Sequence, residues 1–169
     1  NRKHKGDILI DGDNYEKISN DIYYNLVSIA RKDPHFFDLS IKDNLMLVTQ
    51  NFAKVKKVCE RLGIDEEIMS LKNKYDTQIN DVSEKVSNNL RAAIAIARVI
   101  LKDSKIMMFD EIISVLDSEK EDLVLSLLKE LSEDHTIILI TRDSKVLSVA
   151  DKIITFDNNR VKNVRLIKD

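Results

Sequence analysis

The sequence predicts an α/β fold in which a mainly parallel sheet is flanked by helices and interrupted by a helical insert. Short β-branched runs such as TIILIT (136–141) and KIITF (152–156) are typical of parallel strands covered on both faces. These runs alternate with helical patterns, which is the order of a βαβ series. From about Ile41 to Leu90, apolar residues instead recur every three or four positions, and this spacing predicts helices.

The first 40 residues predict two short strands and a turn. GDILIDG (6–12) has an apolar centre bounded by glycines, and YYNLVSIA (23–30) is a second strand candidate. Asp33-Pro34 marks the turn that follows. Helical spacing then begins, and in FAKVKKVCERLGI the repeating apolar positions are Phe52, Val55, Val58, Cys59 and Leu62.

The second half of the chain predicts two further helices around a strand. LRAAIAIARVILK is apolar on nearly every side, which favours a helix buried beneath a sheet, and it leads directly into the strand KIMMF. SEKEDLVLSLLKEL opens with the capping-box pair Ser118 and Glu121. Its leucines recur on one predicted apolar face, at Leu123, Leu127, Leu128 and Leu131.

Composition indicates one ordinary globular domain and excludes several classes of function. The 169 residues are 43% apolar, which is enough for a continuous core. A net charge of -2 offers no general attraction for nucleic acid or an anionic membrane. Cys59 is the single cysteine and the three histidines are scattered, so we expect a reducing compartment and neither a disulfide nor a zinc site within one chain.

Two adjacent carboxylates follow the apolar run KIMMF, and two interpretations are open. Asp110 and Glu111 could be the polar end of a buried strand, where an acid caps the next helix. Alternatively, Asp110 holds Mg²⁺ together with substrate phosphates, and Glu111 orients or deprotonates a water. Thr141 and Arg142 end the next predicted strand, and ligands of open α/β sheets bind at the carboxyl ends of strands. This placement favours the second interpretation.

These residues resemble the nucleotide-binding domains of ATP-binding-cassette (ABC) transporters, and more closely those of exporters. IMMFDEIISVLD is similar to the family's Walker B strand, catalytic glutamate and D-loop. The resemblance implies that Asp110 associates with Mg²⁺, that Glu111 is the general base and that Asp117 is the D-loop aspartate. It also implies a P-loop-NTPase-like fold, with 1–40 and 87–169 forming part of the ATPase core and 41–86 a helical subdomain.

The family's signature Leu-Ser-Gly-Gly-Gln is strongly altered here. The stretch YDTQINDVSEKVSNNL resembles an exporter X-loop followed by the signature, which reads VSNNL at 86–90. Only Ser87 is identical to the family pattern. Asn88 and Asn89 replace glycines, and their side chains obstruct a close approach of phosphate to the helix N-terminus. We expect a weakened signature, with these three residues still near nucleotide.

Two further positions carry a cation where the family has a different residue. ARKDPHFFDLSIKDNL resembles the Q-loop region, with Lys32 in place of glutamine. TIILITRDSKVLSVADKIITFD resembles the strand and H-loop, with Arg142 in place of the switch histidine. Each cation could meet a phosphate oxygen, although a solvated surface charge is the alternative for both. Arg142 is permanently protonated and cannot titrate as a histidine does.

The chain lacks the pattern G-x-x-x-x-G-K-[ST] that would cradle phosphates. Its three glycines, Gly6, Gly12 and Gly63, cannot form such a loop. The chain also begins with Asn1 rather than Met, and we therefore expect a fragment that does not bind ATP by itself.

Three functions are compatible with these residues. The leading hypothesis is the ATPase domain of an ABC exporter, on the cytoplasmic side of the membrane, using ATP and Mg²⁺. Its expected partners are a second nucleotide-binding domain and a transmembrane domain, contacted near Phe36, Phe37 and Leu39, with no nucleic acid. The alternative is a pseudo-ATPase that serves as an interaction or regulatory module. A DNA-repair ATPase of related fold is disfavoured by the exporter-type stretch and the near-neutral charge.

Overall fold

The computed structural model describes residues 6–80 and 86–167, and it has the predicted α/β architecture. Residues 81–85, which belong to the stretch resembling an X-loop, and the basic start 1–5 lie outside the described residues. The strands are β1 Leu9–Ile10, β2 Asp13–Asn14, β3 Val27–Arg31, β4 Ile106–Asp110, β5 Thr136–Ile140, β6 Lys152–Asp157 and β7 Arg160–Leu166. The helices are α1 Asn20–Leu26, α2 Ile41–Met46, α3 Phe52–Arg61, α4 Asp65–Ser70, α5 Asn88–Lys102, α6 Ser118–Leu131 and α7 Ser144–Leu147.

The central sheet has three parallel strands in the order β3-β4-β5. Its register places Arg31, Asp110 and Ile140 side by side at the carboxyl ends of the three strands. The residues that follow each strand therefore leave the sheet at one common edge. This edge is where the predicted site residues converge.

Helix α5 is the centre of the core, as the alanine-rich sequence predicted. It buries ten residues, from Leu90 to Leu101, and packs against the face of the sheet that carries Ala30, Met107 and Phe109. The Ser87 hydroxyl caps its N-terminus by accepting a hydrogen bond from the Leu90 amide. The alanines Ala92, Ala93, Ala95 and Ala97 are all buried in this interface or beside it.

The insert is helical where the spacing predicted helices. Helix α3 buries Val55, Val58 and Cys59, and Leu62 just beyond it is fully buried. A left-handed turn at Gly63, with φ +67°, then leads into α4. A side chain there would be strained and would also collide with Leu123, because an added Cβ would lie 2.7 Å from the Leu123 Cδ1.

Two strand predictions were wrong in part. In YYNLVSIA the first half is helical, because the Ser19 hydroxyl caps α1 by accepting a hydrogen bond from the Ile22 amide. KIITF forms β6, but it pairs antiparallel with β7 through a two-residue turn and lies outside the parallel sheet. Asn158 and Asn159 permit this tight turn because both adopt positive φ. The parallel strands are also not covered on both faces by the described residues, since Ile138 is 39% exposed.

The capping of α6 also differs from the prediction. Asp117, not Ser118, is the N-cap, and its carboxylate accepts a hydrogen bond from the Lys120 amide. The buried face of α6 includes Leu127 and Leu128, but Leu123 is 38% exposed. Aspartate caps a helix as well as serine does, so the prediction from the capping box started the helix one residue too late. Among residues 6–80 and 86–167, no helix is long and apolar enough to cross a membrane.

Candidate functional site

Asp110 and Glu111 lie at the carboxyl end of the central strand, where the sequence analysis placed them. Asp110 ends β4 and is partly buried between the ends of β3 and β5. Glu111 is the first residue beyond the strand and is also partly buried. The two carboxylates therefore occupy the middle of the edge where ligands of parallel sheets bind.

The backbone of Glu111 has an uncommon conformation that its neighbours maintain. Its φ is +51°, in the left-handed region that non-glycine residues seldom adopt. Its amide donates to the Ile140 carbonyl at 2.9 Å, and its carbonyl accepts from the Ser114 hydroxyl at 2.8 Å. Residues held in such regions cluster at functional sites, where the surrounding structure enforces them. Here the turn directs the Glu111 side chain out of the sheet.

The two predicted cations lie beside this carboxylate. Lys32, Glu111, Thr141 and Arg142 line one open cavity of about 640 Å³ at the edge of the sheet. The Arg142 Nε lies 3.7 Å from the Glu111 Oε1. The Arg142 side chain is 95% exposed, so this ion pair is screened by water and contributes little to stability. Asp143 also lines the cavity, which thus combines two acids with two cations and is accessible to solvent.

The remaining predicted residues form a second cluster at the N-termini of α5 and α6. Asn89 Nδ2 donates to the Asp117 Oδ2 at 2.9 Å, which joins the altered signature to the residue that resembles the D-loop aspartate. Ser87 caps α5, and Asn88 is exposed at its first position. The Lys120 backbone amide and ammonium hold the pKa of the Asp117 carboxyl below its usual range.

Sequence reasoning missed three residues that support these two clusters. Ser114 holds the Glu111 carbonyl, as described above. Lys120 contacts both Asp117 and Glu67, at 2.9 and 3.2 Å. Glu67 and Lys120 are far apart in sequence and fit ordinary charged helix surfaces, so no local pattern marked them. Ser114 follows the two acids closely, and its position in the turn was the signal that could have identified it.

Comparison with known proteins identifies the family. The sequence model described as "ABC transporter" matches residues 1–114. The chain belongs to the ABC transporter family. Residues 1–114 contain the altered signature and the two acids.

Several ABC transporters are similar to this chain along most of its length. The chain is 35% identical over 159 residues to the multidrug resistance protein 1 of Plasmodium falciparum, covering 92% of this chain and 11% of that protein. It is 29% identical over 158 residues to a putative multidrug export ATP-binding/permease protein of Staphylococcus aureus, covering 92% and 27%. It therefore spans about a tenth to a quarter of these curated relatives.

A solved structure of a bacterial Atm1-family ABC exporter with ATP bound has the same fold. Its TM-score to this chain is 0.88, with 26% sequence identity, and the match covers 95% of this chain and 29% of that one. The α/β fold class and the similarity to exporters are thereby confirmed. The prediction of a nucleotide-binding domain of the exporter type is likewise confirmed at the level of the family.

ABC transporter domains generally use ATP and Mg²⁺, and the residues present fit only part of that requirement. The Asp110 carboxylate supplies oxygen atoms of the kind that Mg²⁺ prefers, and Glu111 follows it directly beyond the strand. Within 6–80 and 86–167, no three His, Cys, Asp or Glu side chains are grouped to hold a metal, so phosphate oxygens would have to complete its coordination. The three glycines do not form a phosphate cradle, and Gly63 lies against Leu123. The described residues therefore do not fit a complete nucleotide site.

Proposed function

We propose that this chain provides the acidic part and the partner-facing part of the ATPase site of an ABC exporter. The observation that carries the proposal is the position of Asp110 and Glu111 at the carboxyl edge of the parallel sheet, with Glu111 held in a left-handed turn. In this proposal residues 1–40 and 87–169 are part of the ATPase core and 41–86 form a helical subdomain. The protein it serves couples ATP binding and hydrolysis to transport across a membrane.

Each residue at the edge of the sheet has a distinct role in this proposal. Asp110 associates with Mg²⁺, and Glu111 accepts a proton from a water that it orients. Lys32 and Arg142 line the same cavity as Glu111 and meet anionic phosphate oxygens, for which their positive charge is suited. An arginine in place of the histidine stabilises negative charge and does not act as a pH-sensitive switch.

The second cluster faces a partner domain. Ser87, Asn88 and Asn89 lie at the N-terminus of α5, a long helix whose dipole favours an anion at that end. Asp117 lies beside them through its bond with Asn89. We propose that these residues approach nucleotide held by a second nucleotide-binding domain, and that the asparagine side chains weaken this approach.

A loop before α2 presents an apolar contact to a transmembrane domain. Phe37 is 60% exposed and Leu39 is 37% exposed. The buried Asn44 side chain holds the loop, because it bonds the Phe37 amide and carbonyl and the Leu39 carbonyl. Phe36 is partly buried under Arg91 and Arg98 and serves as the anchor of the loop. A loop that is held by these hydrogen bonds and has an exposed aromatic tip is suited to docking. In this proposal the domain lies on the cytoplasmic side of the membrane.

The first experiment tests nucleotide binding by this chain alone. Because the described residues do not form a phosphate cradle, we expect millimolar ATP with Mg²⁺ to leave the melting temperature unchanged. A ligand at 100 times its Kd would stabilise the fold by about 2.7 kcal/mol, which is easily detected. An ATP-dependent rise in melting temperature that is absent with Mg²⁺ alone would contradict this part of the proposal.

The second experiment tests the acids in a domain that can bind ATP. In a hybrid protein, residues 6–167 replace the matching segment of the Staphylococcus aureus relative. The hybrid keeps the sequence that precedes this segment in the relative. We expect the Glu111→Gln hybrid to keep ATP binding and to lose hydrolysis by about 100-fold or more, since the general base is removed. Glu119→Gln, at an exposed position on α6, is the matched control and should hydrolyse ATP at the rate of the unchanged hybrid.

The alternative function is a pseudo-ATPase that serves as an interaction module. The altered residue beside Glu111 favours it, because Arg142 stands where the family has the switch histidine and its Nε lies 3.7 Å from the Glu111 Oε1. In that case the unchanged hybrid would bind ATP without hydrolysing it, and Glu111→Gln would have no effect. Restored hydrolysis in Arg142→His would then assign the loss of activity to this arginine.

A further inference from the structure

Helix α6 contacts the helical insert at three points along its length. Near its middle, Leu123 lies against the turn at Gly63. Toward its C-terminal end, Glu130 pairs with Arg61 of α3. At its N-terminal end, Lys120 pairs with Glu67 of α4. The N-terminal contact is the one that also reaches the candidate site.

Lys120 bridges two carboxylates from different elements. Its ammonium lies 2.9 Å from the Asp117 Oδ2 and 3.2 Å from the Glu67 Oε2. The Lys120 side chain is only 16% exposed, so water screens these interactions less than it screens most surface ion pairs. Although burial alone would lower the pKa of Lys120, its hydrogen bonds with Asp117 and Glu67 raise that pKa above its ordinary value.

Each of these carboxylates also holds a residue at the N-terminus of α5. Asp117 accepts a hydrogen bond from Asn89 at 2.9 Å. Glu67 accepts one from the Ser87 hydroxyl at 3.4 Å, and that hydroxyl in turn accepts from the Leu90 amide at 3.0 Å. Lys120 is therefore a cation common to two links, both of which reach the N-terminus of α5.

We propose that Lys120 is a positioning residue, which fixes the first turn of α5 relative to Asp117 and to α4 so that the three segments keep one arrangement. Without its charge, Glu67 and Asp117 would be two carboxylates with no cation between them, and each would move toward water. Asn89 and Ser87 would lose their fixed acceptors at the same time. The positioning role of Lys120 does not require the proposed function. Only the purpose of that role rests on it, because Lys120 would then hold Ser87 and Asn89 toward a nucleotide.

Nuclear magnetic resonance of this chain tests the proposal without nucleotide. In Lys120→Met, we expect the side-chain amide of Asn89 to exchange roughly fivefold faster, because its acceptor is no longer held. The pKa of the Asp117 carboxyl should rise part of the way toward its ordinary value in the same variant, since the hydrogen bond from the backbone amide of residue 120 still lowers it but the contribution of the ammonium is gone. Lys120→Arg keeps the charge and should restore both properties at least in part.

Two further variants separate positioning from general stability. Lys129→Met removes another lysine of α6, which pairs with Asp151 at 3.0 Å, and should leave Asn89 and Asp117 unchanged. Glu67→Ala removes the acceptor of the Ser87 hydroxyl and should release Ser87, while the link between Lys120 and Asp117 remains.

The proposal is overturned if Lys120→Met leaves Asn89 and Asp117 as they are, or if exchange accelerates equally along the whole of α5. These outcomes do not depend on hydrolysis. A failure of the ATPase proposal in the hybrid would therefore be distinguishable from a failure here.

Discussion

The helical core around α5 buries its apolar residues, whereas the outer strands β6 and β7 expose large apolar residues to solvent. Helix α5 buries ten of its residues, and α2, α3 and α6 add fully buried side chains to the same cluster. In β6 and β7, by contrast, Ile154, Phe156 and Leu166 are 48%, 66% and 71% exposed. The outer face of the parallel sheet is also open, since Ile29, Ile138 and Ile140 are 42%, 39% and 45% exposed. The described residues thus complete one side of the sheet and leave the other uncovered.

This difference indicates where stability arises and where it does not. Parallel strands are ordinarily covered on both faces, so an uncovered face contributes little of the free energy that its apolar residues could supply. The site residues belong to both regions. One cluster lies at the carboxyl edge of the sheet, and the other lies at the N-terminus of the buried helix α5. Mutations in the two regions should therefore differ strongly in their effect.

The largest expected effect comes from truncating a core residue. Ile94 of α5 is fully buried, and Ile94→Ala should lower the free energy of unfolding by about 2–5 kcal/mol, because it leaves a cavity among packed neighbours. Ile138→Ala is the matched control on the open face of β5. It should cost less than about 1 kcal/mol, since the side chain is already 39% exposed. Urea denaturation followed by circular dichroism measures both, and equal losses would contradict the comparison.

A second prediction concerns the buried thiol in α3. Burial raises the pKa of Cys59 from an ordinary value of 9.0 to about 11, so the folded chain keeps a proton that the unfolded chain releases between these values. Its contribution to stability is therefore fully present below pH 9 and is lost as the pH rises toward about 11. The loss should approach about 2–3 kcal/mol by linkage.

The control for the thiol is Cys59→Ala, measured over the same pH series. This variant is less stable at every pH, because Cys59 is fully buried and its removal leaves a cavity. Its stability should nevertheless fall less steeply between pH 9 and 11, since it lacks the thiol whose pKa burial raises. Parallel curves for the two chains would show that Cys59 does not contribute to the pH dependence.

The sequence predicted the fold best where burial follows a periodic pattern. The spacing of Val55, Val58 and Cys59 and the alanines of α5 led to the correct helices, and the end of KIMMF led to the correct edge for Asp110. The pairing of β6 was wrong because a β-branched run fits an antiparallel hairpin as well as a parallel strand. The sequence could not predict that the outer face of the sheet is exposed, because an apolar residue in a strand does not indicate whether another element covers it.

Site geometry was less accessible to sequence reasoning than the positions of the site residues. The sequence predicts that Glu111 and Arg142 each follow the carboxyl end of a strand, but the positive φ of Glu111 depends on a bond to Ile140 across the sheet. The bridge from Glu67 through Lys120 joins elements whose relative placement only the folded chain defines. Long-range polar contacts of this kind have no periodicity and therefore no local signature.

The smallest predicted effect is in the hairpin, where turn geometry rather than burial should decide stability. Asn159 has φ +60° in the two-residue turn, so Asn159→Gly should stabilise the hairpin by about 0.5 kcal/mol through lower backbone strain. Asn163→Gly makes the same change within β7, where the chain is extended, and should destabilise it by about 0.5–1 kcal/mol through added freedom in the unfolded chain. Amide exchange of β6 and β7 measures both effects locally. If Asn159→Gly stabilises the hairpin and Asn163→Gly destabilises it, backbone conformation determines the stability of this exposed hairpin. If both variants are less stable, the Asn159 side chain itself holds the turn.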